Sequence, residues 1–265
     1  TFAAAGPRTA AVQCQLAYYN AAENWLSRCF QIEYGIWFAV LLGGVRKLGL
    51  PIPLGGTSVY FRRSALIDAG GWDAHNVTED ADLGMRLARL GRRVAVLAST
   101  TCEEANCRPG PWIRQRSRWL KGYVLTWLSH MRAPARLWRE LGARGFLGLN
   151  LLFLGAATAY LAMPVFWGLA VWPSVASLAL GQGVMLACAT LAALRRGQPW
   201  LLWWVPTLPF YWTLGAVAAW KAVIELAAAP FYWDKTHHGV SRVFRGAAGQ
   251  GKVAHSDWPN AAERG

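Results

Sequence analysis

Residues 146–194 contain no Asp, Glu, Lys, Arg or His, and this constrains the fold more than any other feature of the chain. A helix needs about 20 consecutive apolar residues to cross the hydrocarbon core of a bilayer. Two segments of that length are present, 146–172 and 173–194, and the Trp172-Pro173-Ser174 joint between them is uncharged. We therefore predict two transmembrane helices joined by a short turn.

Arginine residues flank the pair of predicted spans, before the first span and after the second. Arg195 and Arg196 follow the second span, and four arginines precede the first: Arg132, Arg136, Arg139 and Arg144. Basic residues concentrate on the cytoplasmic side of membrane proteins. The start of the first span and the end of the second are therefore predicted to be cytoplasmic, and the joint between the spans to face the opposite side of the membrane. Residues 132–145 form a basic amphipathic segment, which we expect to lie at the membrane surface.

The apolar stretch 200–229 allows two interpretations. A single span would place the basic residues of the tail outside, against the charge rule, and two spans do not fit in about thirty residues. Alternatively, Pro206 and Pro209 divide the stretch into a re-entrant half and an interfacial half, with Lys221 and Glu225 as a surface pair. Residues 146–229 are thus the predicted membrane region, followed by a basic, partly disordered tail, 230–265.

Residues 1–131 alternate extended and helical patterns, which indicates an α/β domain. The segments TAAVQCQLAYY and SVYFR are predicted strands, and VAVLAST is predicted to be a buried strand. The predicted helices are ENWLSRCFQIEYGIWFAVLLGGVRKLG, RSALIDAGG, VTEDADLGMRLARLGRR with Thr78 as its N-cap and Gly91 as its stop, and a helix from Pro111 to Met131.

Composition narrows the classes of partner. The net charge is +13, but only 15% of residues are charged and 54% are hydrophobic, which favours an anionic membrane over nucleic acid as the partner. No nucleic-acid-binding motif accompanies the charge. The five cysteines are scattered without a C-x-x-C pair, a pattern typical of reduced thiols in the cytosol.

Residues 78–82 read TEDAD, with three carboxylates in five positions. One interpretation is purely structural, because a Thr cap and acidic residues in the first turn stabilise a helix. The other is chemical, since a carboxylate at a helix start that opens onto a loop can act as a general base. Asp80 and Asp82 lie about 200° apart around a helix, so only one of them is expected to face a site.

Residues 115–119 read QRSRW, inside the helix predicted to begin at Pro111. Gln115, Arg118, Trp119 and Gly122 lie on one helical face. Arg offers paired donors suited to a diphosphate, Trp offers a flat surface for a sugar ring, and Gly122 leaves room for a close approach. The alternative is an amphipathic helix with a cationic face on anionic lipid.

In this order and spacing the two motifs resemble those of the membrane-bound family 2 glycosyltransferases, the group that includes cellulose and hyaluronan synthases. Thr78-Glu79-Asp80 is similar to the T-E-D motif of that family, and Gln115-x-x-Arg118-Trp119 to its Q-x-x-R-W motif. Val12-Gln13 resembles a V-Q strand of the family, and 54–58 resembles its Gly/Ser loop. The resemblance covers roughly residues 10–240.

The resemblance implies a fold and roles for individual residues. The fold is α/β, the C-terminal part of a GT-A type, Rossmann-like domain that binds nucleotide-diphospho-sugars, followed by helical transmembrane segments. Asp80 is implied as the base that activates the acceptor hydroxyl, supported by Glu79, with inversion at the anomeric carbon. The other implied contacts are the donor diphosphate with Gln115 and Arg118, and the acceptor with Trp119, Gly56, Thr57 and Ser58.

The resemblance also implies Mg²⁺ or Mn²⁺, a nucleotide-sugar donor, a glycan or glycolipid acceptor, and a bacterial inner membrane with the catalytic part in the cytoplasm. No D-x-D metal motif precedes Thr78, so we expect no metal ligands in this chain and expect them upstream of Thr1. The chain also lacks a cellulose synthase-type gating motif and cyclic-dinucleotide domain, and LGGTS lacks the Cys common in synthases.

A second hypothesis is a non-catalytic membrane scaffold in an envelope polysaccharide complex. An ion-coupled transporter is disfavoured, because its path requires ionisable groups inside the spans and 146–194 has none. Two further expectations are that CEEANC, residues 102–107, is a loop near the site in which Glu103 and Glu104 contact the acceptor, and that His237 and His238 are a solvated pair.

Overall fold

The computed structural model describes residues 5–168, 172–229 and 241. Three strands form one sheet in the order β2-β1-β3. The central strand β1 (Thr9–Tyr18) pairs antiparallel with β2 (Val59–Phe61) and parallel with β3 (Arg93–Glu103). All three strands coincide with predicted ones, and the α/β class is confirmed for this part of the chain.

The prediction that the third strand is buried is wrong. β3 lies on the outside of the β2-β1-β3 order, and its side chains are partly or fully exposed along its length. β1, in contrast, is buried at nearly every position because it has a neighbour on each side. An apolar run such as VAVLAST does not distinguish a central strand from an outer one, since both positions accept β-branched residues.

The helix predicted after β1 is present but interrupted. α1 (Trp25–Gly35) begins with a capping box, in which the Asn24 side chain accepts from the Ser27 backbone and Ser27 Oγ accepts from the Asn24 backbone. A π-helical segment (Ile36–Leu41) then connects α1 to α2 (Leu42–Lys47).

Two short helices carry the chain from β2 to β3. α3 (Arg63–Asp68) and α4 (Glu79–Arg89) are each followed two residues later by a glycine, Gly70 and Gly91. Both glycines have positive φ (79° and 66°), where glycine is the least strained residue. Thr78 occupies the N-cap position of α4, as predicted, but its side chain makes no capping hydrogen bond. Its hydroxyl instead lies beside Asn76 and Thr126.

α5 (Pro109–His130) begins at Pro109 rather than at Pro111, and it is continuous through the QRSRW segment. α6 (Pro134–Leu149) is kinked at Gly142, where φ is 65° and ψ is 177°. A π-helical segment (Asn150–Leu154) joins α6 to α7 (Gly155–Gly168). Most of the interfacial segment is therefore separated from the first predicted span by a sharp break at Gly142, where the backbone is not helical.

Among the residues that the structure describes, two helices have the length and composition to cross a membrane: Pro134–Val165 and Val175–Arg195, the second within α8 (Trp172–Arg195). In the most apolar stretch of each helix, only 22% and 12% of the residues, respectively, are buried inside the protein. These helices contain most of the first two predicted spans. At the end of α8, Arg195 donates to Ala39 O (3.0 Å) and Arg196 to Gln15 Oε1 (3.4 Å), so this end lies against the α/β part.

The stretch 200–229 is divided near its prolines, as the second interpretation expects. A 3₁₀ segment (Pro199–Thr207) leads into α9 (Leu208–Ala228). α9 packs along α5, and Glu225 accepts from Ser117 Oγ (3.3 Å) and pairs with Lys121 Nζ (3.5 Å) as well as with Lys221. The predicted pair of Lys221 and Glu225 is therefore present, but it is more than a surface pair, because Glu225 also joins α9 to α5. The predictions for the tail, including His237 and His238, lie outside the described residues.

Candidate active site

The start of α4 is held against α5 by a buried polar cluster. Asn76 Oδ1 accepts from the Thr78 backbone N–H (3.0 Å), and Asn76 Nδ2 donates to Thr126 Oγ1 of α5 (3.0 Å). Asn76, Thr78 and Thr126 are all buried. Because buried polar groups are costly unless they are hydrogen-bonded, this cluster fixes the loop before α4 to a defined place on α5.

Gly122 is the point where α5 and the T-E-D segment touch. A Cβ atom at Gly122 would lie 2.6 Å from Thr78 Oγ1 and 2.9 Å from Thr78 Cβ, so no larger residue fits without a shift. The sequence indicated a close approach at Gly122, and the approaching group is Thr78. Since Gly122 lies on the same helical face as Gln115 and Arg118, the contact joins the two motifs.

The LGGTS loop lies on the other side of Asp80. A Cβ at Gly56 would lie 3.2 Å from Asp80 Oδ2, and Gly56 itself is exposed. The loop is shaped by Gln13 of β1, which is 1% exposed: its Oε1 accepts from Gly55 N (2.9 Å) and its Nε2 donates to Thr57 O (3.2 Å). The Val12-Gln13 strand thus holds the loop that covers the carboxylate.

Ser58 is strained at the end of this loop, with a φ of 53° that disfavours residues other than glycine. Its Oγ lies 2.7 Å from Thr101 Oγ1 of β3, and its carbonyl accepts from Cys14 N at 3.0 Å. Backbone strain of this kind persists only where the surroundings fix the conformation. The loop next to Asp80 is therefore held from both β1 and β3.

Burial raises the pKa of Asp80 from its ordinary value to about 6. This value includes an opposing effect of the Ala81 backbone N–H, which donates to Asp80 Oδ1 at 2.8 Å, and a smaller upward effect of the neighbouring Glu79 charge. Burial, followed by the nearby Asp80 charge, raises the pKa of Tyr123 to about 12. A carboxylate with a pKa near 6 is ionised at neutral pH yet basic enough to accept a proton during a reaction.

Asp82 faces a different environment, as its place on the helix predicts. Its Oδ2 accepts from Arg86 Nε (2.7 Å) and its Oδ1 lies 3.0 Å from His130 Nε2. Burial raises the pKa of Asp82, but His130 and Arg86 outweigh it and leave the pKa below its usual value. Asp82 is thus a structural anion that ties α4 to the end of α5, and Asp80 alone borders the LGGTS loop.

Within 5–168, 172–229 and 241, no group of three or more His, Cys, Asp and Glu side chains is placed to hold a metal ion. The two aspartates of TEDAD point to different neighbours, so they do not form a shared ligand pair. These residues do not fit a Mg²⁺ or Mn²⁺ centre.

Gln115 contacts the loop that follows β3. Its Oε1 accepts from Asn106 Nδ2 (2.9 Å), and the loop is fixed by Asn20, which exchanges hydrogen bonds with the Ala105 backbone (2.7 and 2.9 Å). The CEEANC segment is therefore next to the Q-x-x-R-W helix at Asn106. The prediction that all of 102–107 is a loop is wrong, because Cys102 and Glu103 belong to β3. Asn106 of this segment contacts the motif, and Glu104 accepts from the Ser241 backbone N–H (2.6 Å).

Trp119 is packed against the core rather than standing open at a cleft. Its ring centroid lies 6.2 Å from that of Phe30, and the Arg116 guanidinium lies 5.1 Å from it. The ring remains partly exposed. Among the site residues named from the sequence, the structure brings Asp80 and Gly56 together and joins Thr78 to the Gln115–Arg118 face, while it places Trp119 at the edge of the aromatic core.

The sequence patterns did not identify Glu33 and Arg116, which form an ion pair between α1 and α5. Tyr211 of α9 also donates to Glu33, and the Arg116 guanidinium lies 4.8 Å from the Trp112 ring. Trp112, Arg116 and Trp119 follow helical spacing, so a cation between two aromatic residues was the signal that could have found this pair.

Comparisons with known proteins agree on one family. Residues 1–236 match the family model described as glycosyl transferase family group 2. The chain is 32% identical to the probable glycosyltransferase YdaM of Bacillus subtilis (strain 168) over 116 residues, which are 43% of this chain and 28% of that protein. It is 27% identical to the beta-monoglucosyldiacylglycerol synthase of Synechocystis sp. over 172 residues, 61% of this chain and 35% of that protein.

The beta-monoglucosyldiacylglycerol synthase of Trichormus variabilis is 29% identical over 129 residues, 46% of this chain and 26% of that protein. In each case the chain spans about a third or less of the length of the curated relative that it matches.

Proposed function

The chain belongs to glycosyl transferase family group 2, and from that premise we propose that it is the part of an inverting glycosyltransferase that activates the acceptor. The full protein would move a sugar from a nucleotide-sugar donor to a glycan or glycolipid acceptor. The observation that carries the proposal is Asp80: one carboxylate with a pKa of about 6 at a helix start, beside an exposed glycine loop.

In the proposed reaction Asp80 accepts the proton of the acceptor hydroxyl as that oxygen attacks the anomeric carbon. The bond from the anomeric carbon to the nucleoside diphosphate breaks in the same displacement, so the configuration inverts. Glu79 supports Asp80 by keeping its pKa raised. General bases of this kind contribute about 10²–10⁴-fold to a rate when they are within hydrogen-bond reach of the proton.

The α5 face is proposed to hold the leaving diphosphate. Arg118 supplies charge-assisted donors and Gln115 a neutral donor, while Gly56, Thr57 and Ser58 border the acceptor. Trp119 is proposed to present the exposed part of its ring to the acceptor sugar. The Thr78–Gly122 contact supports this arrangement, because it keeps base and diphosphate helix at a fixed separation.

The proposed location is a bacterial inner membrane, with the α/β part in the cytoplasm. Two observations support it: two helices have the length and composition of spans, and the arginine end of α8 lies against the α/β part. The third stretch is proposed to lie along α5 rather than to cross the bilayer, because Glu225 and Tyr211 are both tied into polar contacts near α5.

The test is release of nucleoside diphosphate by membranes that carry the full-length protein, across a panel of sugar donors. We expect one donor class to support release, and Asp80→Asn to reduce it by about 10²-fold or more. Asp68→Asn is the matched control, because Asp68 is an exposed aspartate paired with Arg92 away from the site. Equal release from wild type and Asp80→Asn would contradict the assignment of the base and favour a scaffold.

A further inference from the structure

A polar cavity of about 430 Å³ lies on the side of α4 that carries Asp82. The loop between α3 and α4, one face of α4 and the last residues of α5 form its wall. The polar side chains on this wall are those of Asp73, Asp82, Arg86, Arg89, Ser129 and His130. Asp80 does not line the cavity, because positions two apart on a helix point about 200° away from each other. The cavity is therefore separate from the candidate active site.

The charges on this wall largely neutralise one another. Arg86 Nε donates to Asp82 Oδ2 at 2.7 Å. Arg89 Nε donates to Glu140 Oε2 of α6 at 2.6 Å. An anionic ligand would lie against the carboxylates of Asp73 and Asp82, and a cationic ligand against the two guanidinium groups. The wall therefore favours a ligand that carries no net charge.

The same wall offers both donors and acceptors of hydrogen bonds. Nη1 of Arg86 donates to Ala69 O, whereas its Nη2 is buried and has no hydrogen-bond partner among the residues that the structure describes. The hydroxyl of Ser129, an exposed residue, can donate and accept. Asp73 Oδ1 accepts from the His75 backbone N–H (3.0 Å), and a carboxylate has further acceptor positions. A ligand with several hydroxyl groups, each of which donates and accepts, matches this mixture.

An aromatic ring borders the cavity. Trp72 lines it and is 53% exposed, although tryptophan is highly buried on average. The ring of Phe61 in β2 supports the indole, with centroids 5.5 Å apart and planes at 83°. An exposed but supported indole provides a flat apolar surface of the kind on which a sugar ring can lie.

We propose that this cavity is a second carbohydrate-binding site, which takes one neutral sugar ring of a glycan. The ring lies on Trp72, and its hydroxyls form hydrogen bonds with Asp73, Arg86 and Ser129. The site goes beyond the proposed transferase function, because it holds a glycan without changing it. Binding there requires neither Asp80 nor turnover, so it is tested independently of the reaction.

The experiment measures the binding of neutral tetrasaccharides to the full-length protein in nanodiscs of dioleoylphosphatidylcholine. Glycoside detergents are avoided, because their sugar head groups would compete. Maltotetraose, cellotetraose and chitotetraose are titrated by saturation-transfer NMR, with tetragalacturonate as the anionic comparison. At least one neutral tetrasaccharide is expected to bind, and Trp72→Ala to weaken its binding about tenfold or more.

Trp138→Ala is the matched control and is expected to bind as wild type does. Trp138 has nearly the same exposure as Trp72, 50% against 53%, and it also packs steeply tilted against a phenylalanine, Phe146. It lies on α6, however, and does not line the cavity. The comparison therefore separates the loss of this cavity from the loss of any exposed tryptophan.

A second measurement locates the bound sugar. The tetrasaccharide that binds is given a photoreactive group and cross-linked to the protein, and the modified peptides are mapped by mass spectrometry. Labelling of 70–74 and 129–130 is the expected result, with its loss in Trp72→Ala and in Ser129→Leu, which narrows the cavity and leaves Trp72 in place.

Three results would overturn the second site: no binding of any neutral tetrasaccharide, unchanged affinity in Trp72→Ala, or labelling confined to other segments. Binding of tetragalacturonate without any neutral tetrasaccharide would do so as well. Each of these leaves the transferase standing, because nucleoside diphosphate release and its dependence on Asp80 are measured separately.

Discussion

Asp80 and Asp82 stand two positions apart on α4, yet their surroundings give them opposite properties. Burial beside the LGGTS loop raises the pKa of Asp80 to about 6, whereas the hydrogen bonds from His130 and Arg86 leave the pKa of Asp82 below its usual value. The first carboxylate can accept a proton near neutral pH, and the second remains charged and holds two helices together. The division of roles follows from the helix period.

The pH dependence of activity should reflect the ionisation of Asp80. A base must be ionised to act, so kcat/KM for transfer is expected to fall as the pH is lowered through about 6. The measurement is nucleoside diphosphate release between pH 4.5 and 8 at subsaturating acceptor. An acidic limb near pH 4 would indicate that Asp80 is not shifted, or that another group is the base.

The pH dependence of the free energy of unfolding should also distinguish Asp80 from Asp82. The low pKa of folded Asp82 means that its contribution to stability is present above the unfolded pKa and is lost as pH falls through the folded value. Asp82→Asn is therefore expected to cost of the order of 3 kcal/mol at pH 7, because it removes the buried carboxylate that pairs with the Arg86 guanidinium, and the difference should shrink in acid.

The pKa of Asp80 is shifted in the opposite direction, upward from its ordinary value. Its stabilising effect is fully present below the unfolded pKa and is lost as pH rises through about 6. Asp80→Asn should consequently be at least as stable as wild type at pH 8. Thermal unfolding of the purified protein at pH 5 and pH 8 checks both variants, and a loss of stability in Asp80→Asn at pH 8 would argue against a desolvated carboxylate.

At the scale of elements, the candidate site is a contact between two helices. α4 carries the base and α5 carries the diphosphate face, and they meet where Thr78 fills the space left by Gly122. Each helix was predictable from its own residues, since capping positions, helical spacing and glycine stops are local signals. Their contact was not, because Thr78 and Gly122 are distant in the chain and nothing local pairs them.

Gly122→Ala should impair catalysis more than insertion or folding. The added Cβ would overlap the Thr78 side chain and push the start of α4 away from α5, a type of overpacking that costs roughly 1–3 kcal/mol. We expect a large fall in kcat, with partial recovery in the double variant Gly122→Ala/Thr78→Ser, which removes one methyl group. Gly183→Ala on α8 is the control, because no other atom lies within 4 Å of a Cβ there. Wild-type kcat in Gly122→Ala would refute the requirement for this contact.

At the scale of the whole molecule, one buried polar network joins three helices that are far apart in sequence. Glu33 of α1 accepts from Arg116 of α5 and from Tyr211 of α9. Arg116 also lies against the rings of Phe30, Trp112 and Trp119 at 4.8–5.5 Å. The network sets the position of α5 relative to both the α/β part and α9.

Removing one member of this network should destabilise the whole protein. Glu33→Gln leaves the Arg116 guanidinium in a largely buried place without its anion, which typically costs about 3–5 kcal/mol. Its midpoint of thermal unfolding in detergent is compared with that of Asp68→Asn, where an exposed pair is broken at a cost under about 1 kcal/mol. If both variants unfold at the same temperature, the network is not a major source of stability.

The sequence by itself determined the local features of this protein. The three strands, the helices bearing TEDAD and QRSRW and the two span-like segments could be assigned from hydrophobic periodicity, glycine and proline positions and the charge-free stretch. The resemblance carried by the two motifs also anticipated the family. These features depend on neighbours within a few residues, which is why they could be recognised without a structure.

The tertiary structure decided which residues meet. It placed β3 at the outside of the sheet, brought the Thr78 side chain against Gly122, and linked Glu225 to α5. It also revealed Glu33 and Arg116, and it divided the work of Asp80 and Asp82. Burial, pKa and ion pairing depend on groups brought together from distant parts of the chain, and a linear pattern contains no information on those distances.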